Sequence, residues 1–189
     1  MWLRIVVLLV MSAVAVAQEK SLSPVPVDTD FVQKAFGSSC SLAPQWTPVT
    51  GDLNGDGVED IVIVARCKNP LIDQGEKDFQ VIDPYNSFYG YGNPKITSQM
   101  GPDDPKLRGI DVLVIHGAGP DGWRSATPQA KFVIINVAVK RITVKKMRVK
   151  KKKTTTAIYV EEAGADQMTS VLFWDGKKYR YEPLGSSME

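Results

Sequence analysis

From Gln45 onward the chain reads as short apolar runs separated by polar, proline- or glycine-containing breaks. The runs have the length and composition of strands. They lie at Gln45–Thr50, Asp60–Cys67, Ile110–His116, Lys131–Val139, Ile142–Val149, Thr155–Glu161, Val171–Trp174 and Lys178–Glu182, and they are rich in Val, Ile, Thr and aromatic residues. Asp175-Gly176 between the last two is a hairpin signal of the two-residue type. No stretch between these runs carries a helical period long enough for a crossover helix, which argues against repeated βαβ units. One short helix is expected at Asp28–Phe36. Asp28 or Thr29 would cap it, Phe31, Val32, Ala35 and Phe36 would share one face, and Gly37 would stop it. The predicted fold is therefore mainly β, an antiparallel sheet, sandwich-like or blade-like meander with one N-terminal helix.

Residues 68–109 break the pattern. They hold five prolines, an aromatic and glycine cluster from Tyr85 to Gly92, and no sustained period. Ordered loops of this length are uncommon and tend to be functional or disordered. The aromatics could stack on a sugar or a peptide, or simply cover one open sheet edge.

The first residues set the destination. Met-Trp-Leu-Arg is followed by an uncharged run from Ile5 to Ala17, with small residues at Ala15 and Ala17, which is the pattern of a cleaved secretory signal. A run of 13 residues covers only ~20 Å of a ~30 Å hydrocarbon core, too little for a membrane anchor. Residues 1–17 are thus expected to be a signal peptide, 18–27 a polar, proline-containing leader, 28–185 a single β-rich domain and 186–189 a tail. The expected location is periplasmic or secreted, with no membrane span after cleavage.

Cleavage removes Arg4 and no acid, so a formal charge of +2 falls by one to +1. A balanced chain has no global attraction for polyanions, and nucleic acid is not an expected partner outside the cytoplasm. Two cysteines, Cys40 and Cys67, remain in an exported chain, where a bridge is the favoured state over two buried thiols or a reactive one. Closing that loop would stabilise the fold by roughly 3 kcal/mol in the chain-entropy view.

The chemistry-bearing segment is residues 51–64, Gly-Asp-Leu-Asn-Gly-Asp-Gly-Val-Glu-Asp-Ile-Val-Ile-Val. Asp52, Asn54 and Asp56 alternate, so a tightly wound loop can turn three side-chain oxygens inward. Gly57 permits the sharp turn, Val58 can offer its carbonyl, and Asp60 returns a third carboxylate. Hard oxygen donors at this spacing suit Ca²⁺. An EF-hand would need a bidentate Glu at the twelfth position, occupied here by Ile63, and a following helix, where Ile61 to Val64 reads as strand.

The loop resembles the calcium loop of FG-GAP repeats, the integrin-type blade element Asp-x-Asp/Asn-x-Asp-Gly-x-x-Asp set between two strands. Asp52, Asn54, Asp56, Gly57 and Asp60 match it position by position. The resemblance implies a calcium loop at a strand–loop–strand corner. It covers this segment alone. The Gly-Ala-Pro that usually follows is Ala65-Arg66-Cys67, and the motif occurs once where the family's propellers carry about seven blades. Removing 17 of 189 residues leaves 172, too few to close such a propeller, so neither that architecture nor an adhesion role carries over.

Other segments are less specific. His116-Gly117-Ala118-Gly119 after an apolar strand resembles the oxyanion loop of an α/β-hydrolase. His116 is the only histidine and no Gly-x-Ser-x-Gly elbow occurs, so a base and a nucleophile are both missing and the segment reads as a turn. One His and two separated Cys are also too few for a zinc site. Lys140, Arg141, Lys145, Lys146, Arg148, Lys150, Lys151, Lys152 and Lys153 put nine cations into 14 residues. On paired strands they form either an anion-binding stripe or a solvated edge that discourages sheet-to-sheet association.

The functional expectation is a non-enzymatic exported β domain with a calcium loop, a binding or structural module of the cell envelope or secretome with an unidentified ligand. Two alternatives stand beside it. One is an electrostatic binder of anionic surface polymers through residues 140–153. The other is an extracytoplasmic enzyme acting on a cell-wall or surface polymer, with acids from Asp73, Asp78, Asp83, Asp103 and Asp104 paired across a cleft.

Overall fold

A computed structural model of the chain describes residues 26–84, 88, 106, 108–150, 153–163 and 168–186. Residues 1–17, read above as a signal, most of 18–27, Asp103, Asp104, Lys151, Lys152, most of the aromatic cluster and residues 187–189 lie outside the described residues.

Helix α1 spans Thr29–Phe36. Asp28 caps it by accepting the Phe31 N–H at 2.8 Å, and Gly37, at φ 96°, ends it. Val32 and Phe36 form its buried stripe. Ten strands follow: β1 (Cys40–Leu42), β2 (Val49–Gly51), β3 (Asp60–Cys67), β4 (Gln80–Ile82), β5 (Ile110–His116), β6 (Ala130–Ile134), β7 (Val139–Lys150), β8 (Lys153–Glu162), β9 (Met168–Trp174) and β10 (Tyr179–Ser186). A four-residue helix α2 (Gln74–Lys77) precedes β4, and a 3₁₀ segment occupies Gly119–Arg124.

The strands form two sheets. One has the order β1-β3-β5-β6-β4, with β2 pairing the other half of the β3 edge. The second is a β10-β9-β8-β7 meander. All pairs are antiparallel except β4 with β6. Val62, Val64, Val112, Val114 and Phe132 of the first sheet pack into one core with Ile158, Val160, Leu172 and Tyr179 of the second. Ile61, Ile63, Leu113, Ile115 and Val133 point the other way, into a separate core with Val32 and Phe36 of α1. The first sheet is thus covered on both faces. That explains why β3 and β5 are nearly unbroken apolar runs instead of alternating ones.

Cys40 and Cys67 face each other in the β1–β3 ladder with Cα atoms 4.0 Å apart, and they are joined as a disulfide. The bridge fastens the short edge strand β1 to the central strand.

Several boundaries differ from those read in the sequence. Gln45–Thr50 contributes only Val49–Gly51, because Pro44 and Pro48 remove ladder donors on its approach. The run Lys131–Val139 divides at Ile134. Asn136 takes φ 64°, a left-handed conformation that asparagine tolerates, and the chain passes there from one sheet to the other. The last hairpin is present, but its ladder ends at Trp174 and Tyr179. The connection is Asp175–Lys178, not a two-residue turn at Asp175-Gly176. The Asp175 carboxylate accepts the N–H groups of Lys177 and Lys178, which draws the turn one residue further. Within 68–109, α2 and β4 are ordered elements that no period announced.

Candidate functional site

The loop 52–59 joins β2 to β3, whose ladder closes with Gly51 opposite Asp60. Gly55 and Gly57, both at φ +82°, provide the two left-handed turns that wind it. Its acidic side chains are held by backbone donors. Asp52 Oδ1 accepts the N–H of Gly55 at 2.7 Å and of Asp56 at 3.1 Å, and its Oδ2 accepts that of Gly57 at 3.1 Å. Asn54 Oδ1 accepts the Asp56 N–H at 3.1 Å, and Asp56 Oδ1 accepts the Val58 N–H at 2.8 Å. Each of these bonds fixes a side-chain orientation within the loop.

Gln129, from the segment leading into β6, reaches the same cluster. Its Nε2 donates to Asp56 Oδ2 at 2.6 Å, and Asn54 Nδ2 donates to the same oxygen at 3.0 Å. Partial burial of Asp56 works upward on its pKa, but the Val58 N–H and the Asn54 and Gln129 amides outweigh it, and the net shift is downward. Asp56 is therefore a settled carboxylate at neutral pH. Nothing in the sequence pairs Gln129 with the loop, because the contact spans more than 70 positions.

Asp60 has a different environment. It is wholly buried, and its Oδ2 accepts the Leu53 N–H at 2.7 Å while Oδ1 accepts the Gly117 N–H at 2.8 Å. Burial, helped by the nearby Asp56 charge, raises its carboxyl to about 6 against the opposing pull of the Gly117 and Leu53 N–H donors. The side chain locks both ends of the loop to the β5 exit. Among the described residues, no three acid, histidine or cysteine groups converge where one ion could sit. The side-chain oxygens of Asp52, Asn54 and Asp56 accept hydrogen bonds as those of Asp60 do. What sets Asp60 apart is its complete burial, where the other three are partly or fully exposed.

The segment His116 to Gly119 closes against this corner. A Cβ on Gly117 would stand 2.4 Å from the Glu59 carbonyl oxygen, so only glycine allows the loop this approach. His116 is a core residue. Its Nε2 lies 2.7 Å from the Tyr179 hydroxyl, among the rings of Phe132 and Trp174. Burial pushes its pKa down to about 4, against the pull of Asp56 and Asp52, so the ring is neutral at pH 7. Glu59, which the motif leaves unassigned, accepts from Trp123 Nε1 at 3.0 Å and Arg124 Nη1 at 2.8 Å, tying the loop to the 3₁₀ segment.

The remaining candidates are dispersed. Asp73 Oδ2 accepts the Ser39 N–H, Asp78 ends α2 at φ 51°, and buried Asp83 accepts from Asn136 at 2.7 Å. Each has a local structural task. On the β7–β8 hairpin, Lys145 lies 5.9 Å from the Tyr159 ring centroid, Lys146 donates to Thr156, and Arg148 is exposed. Lys150 and Lys153 close that ladder. Lys145, Lys146 and Arg148 are thus exposed cations on this hairpin.

No helix of the described residues is long and apolar enough to cross a membrane. The chain matches no protein-family model, no curated protein and no solved structure.

Proposed function

We propose that the chain is an exported, non-catalytic β domain that serves as a binding or structural module of the cell envelope or secreted fraction, with a loop at 52–60 that takes Ca²⁺. The observation that carries this reading is the wrapping of the loop's own N–H groups around Asp52, which gathers the oxygens of Asp52, Asn54 and Asp56 at one glycine-wound corner. All donors there are oxygen, as a hard cation requires. Asp52, Asn54, Asp56 and the Val58 carbonyl would hold the ion, with water completing the shell. Asp60 would anchor the loop to the body. The bound ion would neutralise the Asp52–Asp56 pair and stiffen the β2–β3 corner. Its resemblance to the FG-GAP calcium loop and the single disulfide both suit an extracytoplasmic, calcium-rich setting.

With two outer carboxylates and no bidentate Glu, affinity should fall in the weak range of extracellular modules, ~10⁻⁴–10⁻³ M. Calcium at a hundred times Kd should then stabilise the fold by ~2.7 kcal/mol. Thermal melting with calcium and with chelator reads this directly. Asp52→Ala should remove the calcium-dependent increment. A wild-type melting temperature indifferent to calcium would reduce the loop to a turn.

A further inference from the structure

A cavity of about 380 Å³ opens between α1, the 119–131 segment and β5, at the lower end of the ~300–1,000 Å³ typical of small-molecule sites. Phe31, Ile115 and Trp123 contribute apolar walls, and the Phe31 and Trp123 rings meet edge to face at 5.6 Å. Three cations complete it, Lys34, Arg124 and Lys131. Among the described residues lining it there is no carboxylate.

Two of the cations are held in place by the fold. The Arg124 guanidinium lies 4.2 Å over the Trp123 ring and gives one Nη1 bond to Glu59. Its buried Nε–H has no acceptor. The Lys131 ammonium is half-buried and donates to the carbonyls of Ala35 and Lys77, near the C-terminal ends of α1 and α2. Burial lowers the Lys131 pKa, with the Asp78 charge opposing the shift and Lys77 adding to it. Three cations and no carboxylate around one cavity with aromatic walls favour an acidic oxygen carried on a flat apolar body.

The geometry points to a binding site here for a small organic anion, a carboxylate or an equivalent oxyanion attached to a planar apolar group. The inference does not depend on calcium at the 52–60 loop, which contributes only Glu59 to the pocket's support.

The test is calorimetric titration of the purified protein, in chelator, with naphthalene carboxylate, its neutral amide and the matching amine. The carboxylate should bind saturably at one site, the amide roughly tenfold more weakly, and the amine not at all. Arg124→Gln should weaken the carboxylate about tenfold. Lys34→Glu, on an exposed position in the last turn of α1, should weaken it about threefold or more with only a small drop in melting temperature from the reversed charge at the helix end, so the question is decided even if Arg124→Gln disturbs folding. Three results would each overturn the site: no saturable binding at millimolar carboxylate, equal binding of the three probes, or carboxylate affinity unmoved in the Lys34→Glu variant.

Discussion

Asp60 and Asp111 are the same side chain, buried in adjacent strands of one sheet, yet they have opposite standing. Asp60 begins β3, and both its oxygens receive backbone N–H groups from segments that fold toward it. Asp111 lies near the start of β5, opposite Ala65, and its buried Oδ2 has no hydrogen-bond partner. Burial raises Asp111 to about 7, with the Cys67 N–H and the Arg66 charge opposing the shift only in part. The contrast teaches that burial alone does not make a carboxylate structural. What matters is whether the surrounding backbone supplies donors. At the β2–β3 corner it does, and Asp60 becomes a clamp. Beside the disulfide it supplies too few, and Asp111 is carried at a cost.

The largest expected effect separates the two directly. Asp60→Ala should orphan the Leu53 and Gly117 donors, at roughly 1–3 kcal/mol each, and loosen the loop from β5. Denaturant melts at pH 7 should register that loss, whereas Asp111→Asn should be neutral or stabilising at the same pH. A stable Asp60→Ala protein would erase the comparison.

Removing the bridge comes next. Cys40→Ser with Cys67→Ser should lower stability by roughly 3 kcal/mol, read from the denaturant midpoint, since a 27-residue separation is no longer closed in the unfolded chain. A midpoint equal to that of the oxidised wild type would mean that β1 is held by its ladder and packing alone.

The last effect is a slope, spread over several pH units. Asp111 holds its proton more tightly in the folded chain than at its ordinary 3.8. Its favourable contribution is therefore whole below about pH 4 and is lost as pH climbs through 7, at up to about 1.4 kcal/mol per pH unit. Asp111→Asn should reduce that slope across the window, leaving the part that comes from Asp60, whose carboxyl is also raised, to about 6. An identical slope in the variant would show that Asp111 does not titrate there.

Much of the frame was legible along the chain. Helix α1 with its Asp28 cap, strands β3 and β5 to the residue, the β7–β8 and β9–β10 hairpins and the cysteine pair all follow from local period, capping chemistry and composition. These features arise from neighbours within a few positions, so the order of residues carries them. The alternation of Asp52, Asn54 and Asp56 with glycine likewise predicts a wound, oxygen-rich corner, and the backbone does wind there.

What lay outside reach was decided by distance in sequence. Asp60 reads as a ligand by spacing, and what no spacing shows is that Gly117, 57 positions on, supplies one of the two backbone donors to its carboxylate. Gln129 joins the loop, and Glu59 turns from it to Trp123 and Arg124, through contacts that span more than 60 positions. The three cations of the pocket come from α1, the 3₁₀ segment and β6, and no local pattern relates them. Composition and period determined which segments became strands and where the acids sit along the loop. Only tertiary packing decided which buried carboxylate received donors and which cations met around a cavity, because a side chain's desolvation and partners are properties of the assembled fold.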